Sequence, residues 1–241
     1  MLKLLLFFLV LGVNLFADFD LKPVKSELLK VDGPHAYVRD EPGIRLHASG
    51  IVSHRFKHSK SIIARVSVIQ KENGLAKLEF KVFDSLEQEA LPLPNILPEV
   101  GDEVLLNFLY DRAVAIAPDR TSHDWLVQKF PSLYFTHIDV LGAQLIRANA
   151  PAPKRADFRK FCSDNAVGIL AFALRDKIKL VDCQDFHVLY EEDVALNSST
   201  QQAPFYSRIE GYRSDFFNIN SEEIGDFYRY YETLIDPLRA R

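Results

Sequence analysis

Between Ser61 and Gln70, Ile62, Ala64, Val66 and Val68 alternate with the polar Arg65 and Ser67. Between Leu75 and Phe83, Ala76, Leu78, Phe80 and Val82 alternate with Lys77, Glu79 and Lys81. A period of two puts one apolar face on a core. Lys71-Glu72-Asn73-Gly74 joins the runs, and Asn-Gly supplies the positive φ angles of a tight hairpin. His35–Val38, one or two strands over Ile44–Phe56 with a bend at Ser49-Gly50, and Glu103–Tyr110 read as further strands. Pro92, Pro94 and Pro98 prevent regular pairing between them. The pattern over residues 18–110 therefore predicts an antiparallel β barrel or sandwich-like domain.

Beyond residue 110 the period changes. Ala113–Ala117 reads as a short buried strand, Ser122–Lys129 as a helix capped by Thr121 or Ser122, and Leu133–Ile138 as a strand. Asp139 can cap a helix carrying Val140, Leu141, Leu145 and Ile146. A helix over Arg155–Asp164 follows, then a hairpin of Gly168–Leu174 and Lys177–Val181 around Arg175-Asp176. Alternating helix and strand predicts a small α/β unit over residues 111–195. Residues 196–241 are expected to hold a polar linker and a C-terminal amphipathic helix. Asn220 and Glu223 suggest its start, and Ile224, Phe227, Tyr228, Tyr231, Leu234 and Ile235 its apolar stripe. The fold class is thus α+β.

Residues 1–17 have the layout of a secretory signal peptide: Lys3, an apolar run over Leu4–Val13, and a cut after Ala17. That run is shorter than the about 20 residues of a spanning helix, so no membrane span is expected after cleavage. The expected location is the periplasm or cell surface. Export changes the reading of Cys162 and Cys183, the sole cysteines. A disulfide between them is favoured in an oxidising compartment, with two buried thiols as the alternative. Lys+Arg number 29 against 33 Asp+Glu, a net charge of −4, so phosphate neutralisation and nucleic-acid binding are disfavoured.

Catalytic chemistry finds little support. No nucleophile elbow, H-E-x-x-H, Walker loop or G-x-G-x-x-G occurs. His47, His54 and His58 lie close in sequence but on an expected strand end and loop, and read as solvated rather than as metal ligands. Glu191-Glu192-Asp193 reads as a solvated turn. The expectation is a non-enzymatic protein with no catalytic residues, metal or cofactor. Its expected partner is another protein, with a structural or assembly role in the bacterial cell envelope as the alternative to a binding role.

Several stretches together resemble the N-terminal region of the plasminogen-binding protein A family, exported proteins of Gram-negative bacteria. They are Ser49-Gly50-Ile51-Val52, Leu86-Glu87-Gln88-Glu89-Ala90-Leu91-Pro92, Gly101-Asp102-Glu103-Val104, Leu109-Tyr110-Asp111-Arg112-Ala113 with Ile116-Ala117-Pro118, and Phe161-Cys162 with Asn165-Ala166-Val167-Gly168. The resemblance spans roughly residues 20–195. It implies a surface adhesin that captures plasminogen, whose kringle modules hold a ligand's cation and carboxylate together. Family members credited with binding carry a Lys-rich tail after this region. Here Arg239 and Arg241 are the candidate binding residues, Arg241 offering a guanidinium beside the terminal carboxylate.

Overall fold

The computed structural model describes residues 21–83, 96–196, 200–209 and 224–237. The expected signal peptide, Arg239 and Arg241, and the Leu86–Pro92 block lie outside the described residues.

Seven strands form the first sheet: β1 (Val24–Glu27), β2 (Lys30–Asp32), β3 (His35–Arg39), β4 (Ser49–Arg55), β5 (Lys60–Glu72), β6 (Leu75–Lys81) and β7 (Glu103–Leu106). Their order is β1-β7-β4-β5-β6-β3-β2, and every pairing is antiparallel. The predicted hairpin is β5–β6, with Asn73 and Gly74 both at positive φ. The run from residue 24 to 32 supplies both edges of the sheet. Leu28 N–H donates to the Asp102 carbonyl at 3.0 Å, and the next residue, Leu29, donates to Tyr37 at 2.8 Å. The chain therefore steps from one edge to the other, and the sheet curls to meet it. That crossing satisfies backbone groups which an open edge would leave bare.

The second sheet holds β8 (Arg112–Ile116), β9 (Tyr134–Thr136), β10 (Ile169–Ala173), β11 (Lys177–Asp182) and β12 (Val188–Asp193), in the order β12-β11-β10-β8-β9. β8 runs parallel to β9 and β10. Helix α1 (Arg120–Lys129) connects β8 to β9, and α2 (Ile138–Arg147) and α3 (Arg155–Asn165) connect β9 to β10. Small residues, Ala113, Ala115, Ala117, Ala171 and Ala173, share one core with the first sheet and α1. Large ones, Val114, Ile116, Leu170 and Phe172, pack with α2, α3 and α4 (Phe227–Ile235). Both faces are covered, so β8 and β10 are almost wholly apolar rather than alternating. The small side lets two sheets approach closely. At Gly168 a Cβ would press on the backbone of Leu109.

Several boundaries differ from the sequence pattern. Asp119, not Thr121 or Ser122, caps α1, accepting from Ser122 N. His137 caps α2 in place of Asp139. β7 ends at Leu106, where Asn107 and Leu109 take positive φ. Ile224 precedes α4, whose cap is Asp226. Asn220 and Glu223 lie outside the described residues. The Glu191-Glu192-Asp193 group is strand, not turn, because Lys177 and Lys179 of β11 stand opposite it. Cys162 of α3 and Cys183, next after β11, form a disulfide with Cα atoms 6.4 Å apart.

Candidate functional site

Two polar assemblies stand out from the apolar layers. The first is buried between the sheets. Ser49 opens β4 and Asp182 ends β11. The Ser49 hydroxyl donates to Asp182 Oδ2 at 2.6 Å, and the Tyr110 hydroxyl donates to the same oxygen at 2.7 Å. Backbone N–H groups of Gln184 and Asp185 donate to Oδ1 at 2.9 and 2.7 Å. Burial pushes the Asp182 carboxyl up, and pushes the Tyr110 hydroxyl well above its ordinary value with help from the Asp182 charge. Three residues on, Asp185 accepts from Ser67 and pairs with Arg65 and Lys81, both at 3.1 Å. His187 stacks on His47, ring centres 4.3 Å apart.

The turn after β11 is therefore fastened to the first sheet at three points. Its chemistry is that of a lock. The Ser49 hydroxyl donates its hydrogen bond directly to a carboxylate, with no imidazole between them. The adjoining cavity is only about 30 Å³, room for one or two waters.

The second assembly is at the surface. A groove of about 1350 Å³ runs between α4 and the second sheet. Cations line it at Arg155, Lys177, Lys179 and Arg229, and carboxylates at Asp176, Asp226, Glu232 and Asp236. Lys179 is nearly buried and pairs with Glu191 at 3.2 Å. Glu191 also takes a 2.9 Å bond from Lys177 and thereby raises the Lys177 pKa. Arg155 donates to the Leu234 and Ile235 carbonyls at 2.7 and 2.8 Å, fixing the C-terminal end of α4. Small-molecule sites are mostly apolar hollows. This groove instead presents both signs of charge over a broad face, with Arg229 and Glu232 exposed one helical turn apart.

The structure brings Cys162 and Cys183 together. It separates the three neighbouring histidines: His47 meets His187, His54 meets Asp102 and Glu99, and His58 is exposed. Sequence patterning missed the Ser49–Tyr110–Asp182 lock. A faint signal was present, since Asp182 ends the apolar run of β11 and Ser49 begins that of β4.

A curled antiparallel sheet laid on a mixed helix-covered sheet, with a groove that carries both signs of charge, defines an α+β protein. The chain belongs to the family described as plasminogen-binding protein pgbA N-terminal, which it matches over residues 23–235. Two relatives are named plasminogen-binding protein PgbA, from Helicobacter pylori strains J99 and 26695. Each is 25% identical over 240 residues, covering 98% of this chain and 53% or 52% of the relative. The chain thus spans about half the length of the curated relatives it matches.

Proposed function

We propose that this chain is an exported, non-enzymatic protein that binds plasminogen. The observation that carries the reading is the family match over residues 23–235. Two features support it. The buried Cys162–Cys183 disulfide suits an oxidising compartment. The α4 groove offers Arg229 and Glu232, a cation and a carboxylate side by side, which is the chemistry that a kringle holds. Arg239 and Arg241 offer further cations close in sequence to α4.

The location is tested by fractionation of the producing cells, with protease added to intact cells. Export predicts a protein shortened by about 17 residues and absent from the cytosol, and surface display further predicts cutting by external protease. Full-length protein confined to the cytosol contradicts the reading. The contact surface is tested with the double variants R229Q/E232Q and R239Q/R241Q on immobilised plasminogen. We expect at least one of them to weaken lysine-sensitive binding about ten-fold, or about 1.4 kcal/mol. Unchanged affinity in both removes these residues from the contact.

A further inference from the structure

We propose that His54, Asp102 and Glu99 form a binding site for a divalent transition-metal ion of the zinc type. β4 and β7 pair Ser53 with Glu103. One antiparallel step further sets His54 across from Asp102, as a cross-strand pair on one face. His54 Nδ1 lies 2.7 Å from Asp102 Oδ1 and 3.6 Å from Glu99 Oε1. One donor atom from each of the three residues falls within 4.8 Å of the other two. Among the described residues this is the one such cluster of three.

Two of the donors are held, and the exposed third, Glu99, rides on a fixed backbone. The Asp102 side chain is only 5% exposed. Its Oδ2 accepts from Glu99 N–H at 2.9 Å, which leaves Oδ1 aimed at the imidazole. The turn carrying both carboxylates is tied down by its backbone. Asp102 N–H donates to the Glu99 carbonyl, Gly101 N–H to Leu28, and Leu28 N–H to Asp102. His54 rides on the well-paired β4 and meets Phe56 edge-on. Metal sites work best when such backbone supports fix the ligands beforehand.

The distances and the donor chemistry agree with a small tetrahedral ion. Bonds of about 2.0–2.2 Å in a tetrahedron place donors about 3.4 Å apart. The His54–Glu99 distance already matches, and the His54–Asp102 distance opens by less than about 1 Å when the ion replaces the shared proton, which passes to water. One imidazole nitrogen and two carboxylate oxygens suit zinc and its first-row neighbours. Two carboxylates offset the charge of a divalent cation. Lys60 binds Glu103, a neighbour whose side chain alternates to the other face of β7. Neither cysteine competes, because both are in the disulfide. Three protein donors leave a position for water or for a partner's side chain. A hydrogen bond that only fixes the turn would need His54 and Asp102 but not Glu99.

Zinc titration of tag-free, chelator-treated full chain by calorimetry tests this, beside H54Q and E99Q. Glu99 is exposed, so E99Q leaves the fold intact, and urea unfolding without zinc verifies both variants. One zinc per chain is expected, with affinity falling about ten-fold or more in each variant. A zinc-dependent rise in melting temperature should appear in the wild type and disappear in H54Q. No saturable uptake near one equivalent overturns the proposal, and so does equal affinity in wild type and E99Q.

Discussion

Single residues decide how the two sheets are joined. Asp182 collects four donors, Ser49, Tyr110 and two backbone amides. Replacing it with Ala takes the acceptor from two buried hydroxyls and two N–H groups, so D182A should cost about 3 kcal/mol or more, read by urea denaturation. Tyr110→Phe removes one donor to Asp182 and also the acceptor of the buried Ser49 N–H, so it should cost about 2 kcal/mol or more. His47 gives the seam a pH dependence. Burial lowers its pKa first, the His187 charge lowers it further, and Asp185 opposes both. The unfolded chain then takes up the proton before the folded one does. This contribution is complete above about pH 6.5 and declines as pH falls through that value. The melting temperature should therefore drop between pH 7 and pH 5. His47 sits at φ 68°, so H47N is a fitting variant, and it should flatten the slope. An equal slope in H47N would remove His47 from the account.

Elements were legible in the sequence wherever one face met water. β5 and β6 alternate apolar and polar residues, and their hairpin follows from Asn73-Gly74. β8 and β10 were legible as apolar runs, and their inner order of small against large side chains records which layer each face meets. β1 and β2 were not legible, since Val24, Leu28, Leu29 and Val31 follow no sustained period of two and the run is held by backbone bonds to two different strands. β12 looked like a turn because its acids are answered by lysines of β11, which no local window shows. The lock and the groove were illegible for the same reason: Ser49 and Asp182 are 133 residues apart in sequence. The disulfide belongs to this scale as well, tying α3 to the end of β11. It closes a loop of 21 residues, so removing it as C162A/C183A should lower stability by about 3 kcal/mol. The reduced wild type should melt lower by a similar amount. Gly168→Ala should also destabilise, by about 1–3 kcal/mol, because its Cβ meets the Leu109 backbone.

At the scale of the molecule, a single apolar cluster runs from β3 and β6 through to β10 and β11. The described layers should therefore unfold as one cooperative unit, with coincident transitions by fluorescence and circular dichroism. Two separate transitions would show that the seam is weaker than its contacts suggest. Among the described residues no helix is long and apolar enough to cross a membrane. The layered core leaves Arg229 and Glu232 of α4 exposed. The most direct measurement is surface plasmon resonance of the wild-type chain over immobilised plasminogen, with and without a free lysine analogue. Saturable binding that the analogue abolishes is the predicted result. An absence of binding, or binding that the analogue leaves untouched, would contradict the proposed lysine-type contact.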